Sequence, residues 1–290
     1  MTTRTTEGKR RVALVTGASR GIGRAAALSL AAAGLDIACT ARTLKKGEGR
    51  DDSDSGKGAT LPGSLEETAA EVEAFGVRAL PLFADLLDSG SLHIAVDTLL
   101  REWGRVDVLV NNAIYTGPGS MVPFVELTPE QLMALLQCNV MAQVAITQAI
   151  LPTMLDRHNG TIVNVTSHVA VGDPPAPVGQ GGWGLGYAAS KAAFHKMAGI
   201  LAVELGPKGI VTFNLDPGYV DTEKQLLNAE RNGLAGHYVG APPSVPATVI
   251  AWLVTSPEAT ALSGQTIRAQ KLALERGLHA DWRTADGARG

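Results

Sequence analysis

Cysteine is scarce in this chain: two among 290 residues, Cys39 in an apolar strand pattern and Cys138 in an apolar helix pattern. Two buried free thiols suit a reducing compartment better than a disulfide scaffold. An excess of positive charge is missing too. Lys and Arg total 25 against 28 Asp and Glu, a formal net charge of -3, so neither nucleic acid nor an anionic membrane has an electrostatic footing. The N-terminal MTTRTTEGKRR is polar and lacks an apolar signal core. No apolar run reads as long enough to span a bilayer. His93, His158, His168, His195, His237 and His279 show no metal-ligand spacing, so no metal is expected. Together these absences lead us to expect a soluble, cytoplasmic protein.

What is present is a core. Apolar residues make up 45% of the chain. Short apolar runs at Val12–Val15, Asp36–Thr40, Arg78–Phe83, Val106–Val110, Gly160–Val165, Ile210–Leu215 and Gly264–Ile267 read as strands. Helical patterns lie between them, over 25–33, from the capping box Ser64-Leu-Glu-Glu67, over 89–103, from Thr128-Pro-Glu-Gln131 to about 155, over 187–206 and over 247–255. This alternation predicts an α/β fold: a single-domain, Rossmann-type, doubly wound parallel sheet with helices on both faces. The expected divisions are a flexible tail over 1–10, one α/β domain over 11–268 and a C-terminal tail over 269–290. Within the domain, residues 45–63 are rich in Gly, Asp, Ser and Lys and read as a solvated, poorly ordered insert. Residues 221–245 read as a flap.

Three patterns carry chemistry. Tyr187-Ala-Ala-Ser-Lys191 sets a phenol and an ammonium on one helix face, one turn apart. A nearby cation favours the phenolate, which makes Tyr187 a usable acid and base. Alone, this spacing also fits an ordinary amphipathic helix. Thr16-Gly17-Ala-Ser19-Arg20-Gly21-Ile22-Gly23 follows a strand and opens a helix, where close backbone approach and free N–H groups suit a diphosphate. The second strand ends in Cys39-Thr40-Ala41-Arg42, with no acid between Ile37 and Lys46 to accept from a ribose 2′-hydroxyl. Arg20 and Arg42 instead suit a 2′-phosphate, and so NADP(H) over NAD(H); the alternative is two solvated surface arginines.

In this order, with Asp85, Asn111-Asn112-Ala113, Asn139, Ser167 and Pro217-Gly218-Tyr219-Val220-Asp-Thr222, the chain resembles the short-chain dehydrogenase/reductase family from about Arg11 to Ile267. The resemblance implies that Asp85 bonds the adenine, with Leu86 beside it, and that Asn112 and Ala113 pass under the adenosine ribose. It implies that Ser167 holds the substrate oxygen and that Lys191 bonds the nicotinamide ribose. Asn139 would kink its helix and hold a water linked to Lys191. Pro217, Gly218, Val220 and Thr222 would hold the carboxamide. NADP(H) would then exchange hydride with a small carbonyl or alcohol while Tyr187 moves the proton. A homodimer or homotetramer through the helices at 129–155 and 187–206 is also implied.

The chain departs from the family pattern in four places. Ile114 replaces the usual Gly after Asn-Asn-Ala. A loop over 173–184 separates Ser167 from Tyr187, residues 45–63 are inserted, and Arg268-Ala-Gln-Lys replaces the usual Asp-Gly-Gly. Ile114, Tyr115, His168, Trp183 and Tyr219 are expected to line the substrate pocket, with Met121 and the flap from Gln225 to Tyr238 adding apolar wall. A medium-sized apolar substrate, cyclic or steroid-like, fits such walls. The alternatives are a 3-oxoacyl thioester reductase, for which no basic patch is evident, and a non-catalytic NADP(H) sensor or scaffold, which would tend to lose Tyr187 or Lys191.

Overall fold

In a computed structural model of the chain, residues 10–54, 56, 58–231, 239–280 and 282 are described. The N-terminal tail before residue 10, the centre of the flap with His237 and Tyr238, and nearly all of 281–290 lie outside them.

Seven parallel strands form one sheet in the order β3-β2-β1-β4-β5-β6-β7. They are β1 (Val12–Thr16), β2 (Asp36–Ala41), β3 (Ala79–Phe83), β4 (Val108–Asn111), β5 (Gly160–Val165), β6 (Ile210–Asp216) and β7 (Thr266–Arg268). β1, β4 and β5 are buried throughout, which is why they read as unbroken or nearly unbroken apolar runs. β3 is an edge strand, where its Pro81 is tolerated.

The helices are α1 (Gly21–Ala32), α2 (Leu65–Glu73), α3 (Ser89–Trp103), α4 (Pro129–Leu136), α5 (Ala142–Leu155), α6 (Leu185–Leu205), α7 (Glu223–Arg231), α8 (Ser244–Thr255) and α9 (Ala269–Arg276). One core, with Leu30, Ile37, Phe213 and Ile250, joins α1, α2, α8 and α9 to one face of the sheet. The other, with Leu14, Leu99, Leu109, Ile150 and Ile162, joins α3, α5 and α6 to the opposite face. One capping box forms in full and the other in half: Thr128 and Gln131 cap each other with Pro129 in the first turn, while the Ser64 hydroxyl accepts from the Glu67 N–H at 3.2 Å without the return bond to the Ser64 backbone.

Strand order turns around between β1 and β4. The register pairs Thr16 with Thr40, Asn111 with Asn164 and Val165 with Leu215, so the loops after these strands leave from one edge of the sheet. A crevice opens there, at the topological switch point.

Three expectations change. The 45–63 insert is not a solvated, structureless loop. Arg50 bridges Thr60 antiparallel, the Leu61 N–H donates to the Gly49 carbonyl at 3.0 Å, and Asp51 and Leu61 are buried. The chain does not leave the core at residue 268. α9 packs on α8 with Ala269 and Ala273 buried. Finally, Pro129–Leu155 is continuous helix over 27 residues, with a mean hydropathy of 1.4, long and apolar enough by length and composition to cross a membrane. Its buried Asn139, Gln143 and Thr147 all bond to groups of this chain, as in a helix that packs within the protein.

Candidate active site

Glycine geometry builds the crevice. Gly17 turns at φ +68°, and a Cβ there would lie 2.8 Å from the Ala113 Cα. A Cβ on Gly23 would run into the Gly17 carbonyl and the Asn112 amide. Thr16 then ties the two loops together. Its hydroxyl accepts from the backbone N–H groups of Asn112 (2.9 Å) and Ala113 (3.0 Å), and the Asn112 side chain donates to the Thr16 carbonyl at 2.8 Å. The N-terminus of α1 is thereby exposed to the crevice. Its Gly21 N–H donates to the Glu223 carboxylate at 3.0 Å. An anionic oxygen thus already sits where a free helix end favours negative charge, and the cradle fits a dinucleotide diphosphate.

The crevice is lined by the expected Gly17, Ser19, Arg20, Gly21, Ile22, Arg42, Asp85, Leu86, Asn112, Ala113 and Thr222. The Asp85 carboxylate does not cap α3; Asp88 does, accepting from Gly90 and Ser91. Ile114 and Tyr115, expected on the substrate side, line the same crevice. Tyr115 lies within the electrostatic reach of Arg42, Asp52 and Asp85, and burial pushes its hydroxyl up. Sequence reasoning missed Arg50, Asp52, Leu61, Thr116, Glu223 and Lys224, which also line the crevice. The insert looked solvated because its apolar residues are few.

The two arginines are not free. Arg20 donates from Nε to the Pro62 carbonyl at 2.7 Å and from Nη2 to Thr43 at 3.1 Å. Arg42 pairs with Asp52 at 2.5 Å. The insert has folded back onto both.

The residues expected to move the proton lie on α6, in the loop after β5 and in the π-turn between α4 and α5. Tyr187 enters α6 in its first turn, and the Ser167 side chain comes close enough to act on its phenol, so the long 173–184 loop does fold aside. Burial raises the Tyr187 pKa, partly countered by the bond to Ser167 and reinforced by Asp216. Lys191 is buried, 5% exposed, and donates to the Val165 carbonyl at 2.8 Å. Burial lowers its pKa to about 8, against an upward pull from Asp216. The Lys191 ammonium thus donates to a backbone oxygen, while burial, Ser167 and Asp216 set the shift of Tyr187.

Asn139 falls within a π-turn, Gln137–Met141, that interrupts the long helix. Its carbonyl oxygen accepts from the Tyr115 N–H at 2.8 Å, and its amide donates to the Tyr115 carbonyl at 3.0 Å and to Ser190 at 3.2 Å. It fastens the loop after β4 to α6. His168 and Trp183 meet edge to face at 6.4 Å between ring centres, beside Ser167. Tyr219 stands exposed. Pro217 and Gly218 form a turn at the end of β6, with Gly218 at φ +69°, and Val220 is buried in a bridge to Ala241. These three do not line the crevice. Among the described residues, no cluster of three or more His, Cys, Asp or Glu is placed to hold a metal.

Comparison with known proteins agrees with this geometry. A family profile described as short chain dehydrogenase matches residues 11–52 and 59–232. The chain is 31% identical to a 3-oxoacyl-[acyl-carrier-protein] reductase of Synechocystis, over 88% of this chain and 93% of that one. It is 33% identical to a cyclohexanol dehydrogenase of Rhodococcus, over 73% and 75%. Its fold superimposes on L-sorbose reductase from Gluconobacter frateurii, solved with NADPH and L-sorbose, with a TM-score of 0.73 and 25% identity over 90% and 96% of the two chains. It also superimposes on a short chain dehydrogenase from Mycobacterium paratuberculosis bound to NAD, with a TM-score of 0.70 and 28% identity over 89% and 96%.

Proposed function

The chain belongs to the short-chain dehydrogenase/reductase family of nicotinamide-dependent oxidoreductases, and from that premise we propose that it interconverts a ketone or aldehyde and the matching alcohol, with Tyr187 as the acid and base. The observation that carries the reading is the placement of the Ser167 side chain against the Tyr187 phenol, with Lys191 one turn further along the same helix face.

When bound, the nicotinamide supplies the hydride chemistry. The diphosphate would lie on the Gly17–Gly23 turn and the α1 N-terminus, the adenine against Asp85 and Leu86, and the ribose over Asn112 and Ala113. Lys191 would bond the nicotinamide ribose, and Pro217, Gly218, Val220 and Thr222 would hold the carboxamide. Ser167 and Tyr187 direct two donors at the substrate oxygen, where negative charge grows during reduction. Tyr187 then gives its proton to that oxygen. Asn139 acts by fixing the Tyr115 backbone and Ser190, not by touching substrate.

Arg20 and Arg42 at the adenosine end, with no acid on β2, support NADP(H) as the principal cofactor. His168, Trp183 and Tyr219 supply aromatic wall for a medium-sized apolar substrate, and the cyclohexanol dehydrogenase relative supports a ring. The Synechocystis relative favours an acyl thioester as the second reading. Exposed Met133 and Met141, by the π-turn, and Ile200 and Val203 on α6 support a homo-oligomer joined along these helices. Free, buried Cys39, its thiol pushed up to about 12 by burial, is in keeping with a cytoplasmic setting.

The test is oxidation of NADPH and NADH over a panel of cyclic ketones, open-chain ketones, steroids and 3-oxoacyl thioesters. Tyr187→Phe should lower turnover by about a thousandfold while leaving dinucleotide affinity nearly unchanged. Full activity in that variant would overturn the assignment. Activity confined to thioesters would favour the second reading. Dinucleotide binding with no turnover on any substrate would favour a sensor or scaffold.

A further inference from the structure

We propose that Asp52 sets the dinucleotide preference of the crevice, by engaging Arg42 against a 2′-phosphate and by offering a carboxylate to a 2′-hydroxyl. The proposal rests on the dinucleotide reading given above and deepens it.

In a doubly wound nucleotide fold, an acid at the end of the second strand meets the ribose 2′-hydroxyl, and an arginine there accommodates a 2′-phosphate. This chain has the arginine and no acid on β2 itself. The insert brings the acid back. Its two arms pair at Arg50 and Thr60, and this turn delivers Asp52 to the Nη1 of Arg42 at 2.5 Å. The Arg42 Nη2 donates to the Arg50 carbonyl at 3.3 Å. Both terminal nitrogens of Arg42 are therefore occupied by the insert. Arg20 is similarly committed, to Pro62, Thr43 and, at 3.4 Å, the Gly63 carbonyl.

The pair faces the site and not the core. Arg42 and Asp52 both line the crevice beside Thr40 and Thr43, and their side chains are 40% and 37% exposed. A 2′-phosphate approaching Arg42 meets the Asp52 carboxylate, a like charge, and must draw the guanidinium away from it. A 2′-hydroxyl is a neutral donor and finds an acceptor already in place. Asp52 thus weakens NADP(H) and supports NAD(H), and narrows whatever margin the two arginines give NADP(H).

The experiment is direct titration of NADPH and NADH, by nucleotide fluorescence, into wild type, Asp52→Asn and Asp52→Ser, with no substrate present. Thermal unfolding of each variant checks that it is folded. The ratio of the NADH to the NADPH dissociation constant should rise by about tenfold in both variants, chiefly through tighter NADPH. Arg42→Ala, which removes the partner, should lower the ratio, and Asp52→Asn added to Arg42→Ala should still raise it, but by less than in the wild-type background. An unchanged ratio in folded Asp52→Asn and Asp52→Ser, or a shift towards NADH, overturns the proposal. Failure of wild type to bind either dinucleotide overturns the underlying reading, and the proposal with it.

Discussion

Gln270 reaches from α9 to the turn after β6, where its amide donates to the carbonyl oxygens of Pro217 (3.0 Å) and Tyr219 (2.8 Å). The same turn carries Gly218, where an added Cβ would fall 2.5 Å from the Gln270 amide nitrogen. A helix that follows the last strand thus clamps the segment proposed to hold the carboxamide. Gln270→Leu keeps the bulk and removes both bonds. It should cost about 1–3 kcal/mol of stability and lower kcat several-fold, with dinucleotide affinity much less affected. Melting curves and steady-state kinetics check this. An unchanged kcat would show that the turn holds its shape without α9.

Lys191 is expected to trade stability for activity. Burial lowers its pKa to about 8 from 10.5. Between those values the unfolded chain binds the proton and the folded one does not, so stability rises with pH across that window. Below about pH 8 the folded state bears the full cost of a buried charge. Lys191→Met should therefore stabilise the fold at pH 7, by an amount on the order of 3 kcal/mol, and abolish turnover. The stabilisation should shrink as pH climbs towards 10.5. Denaturant melts of both proteins at pH 7 and pH 10 measure it. No gain at pH 7 would mean that the Val165 carbonyl compensates the charge in full.

Much of this was legible in the sequence for a physical reason. β1, β4 and β5 are buried along their whole length, so they must be mostly apolar, and a glycine turn must follow β1 because Gly17 and Gly23 have no room for a side chain. Asn139 stood out because Asn is a poor mid-helix residue, and the fold places it within a π-turn. The insert was not legible. Its order comes from a few long-range contacts, Asp51 to Lys224 and Arg42 to Asp52, and polar composition alone does not distinguish such contacts from solvation. The surroundings of Lys191 were not legible either. A spacing of four places Lys191 on the right face, but only the fold shows its ammonium directed at Val165.

Glu223 competes with the diphosphate. Its carboxylate accepts from the Gly21 N–H at 3.0 Å, within the helix end proposed for the cofactor. Any dinucleotide must displace it, and its charge opposes that of the incoming phosphates. Glu223→Gln should tighten both NADPH and NADH about three- to tenfold, without changing the preference between them. The effect should fade at high salt. Calorimetric titration at low and high ionic strength measures it. Weaker binding in Glu223→Gln would mean that the carboxylate assists entry.

Lys224 fastens the insert to α7. Its ammonium lies 2.9 Å from the fully buried Asp51 carboxylate and also bonds Thr116 at 2.5 Å. Burial raises the Asp51 pKa, but the bonds from Lys224 and Ser53 outweigh it, and the net value falls below 3.8. A carboxylate held below its unfolded value stabilises the fold above that value, and the contribution is lost as pH falls through the folded one. In wild type the insert should therefore stay closed down to about pH 4. Lys224→Met leaves burial as the dominant influence, so the Asp51 pKa rises and the insert opens at higher pH. Hydrogen exchange at Asp51 and Leu61, whose N–H groups donate across the insert at 2.9 and 3.0 Å, reports this directly. Both amides should exchange at least about tenfold faster in Lys224→Met at pH 5, with β1 and β4 unaffected. Equal protection in both proteins would show that the pairing of Arg50 with Thr60 holds the insert without Lys224.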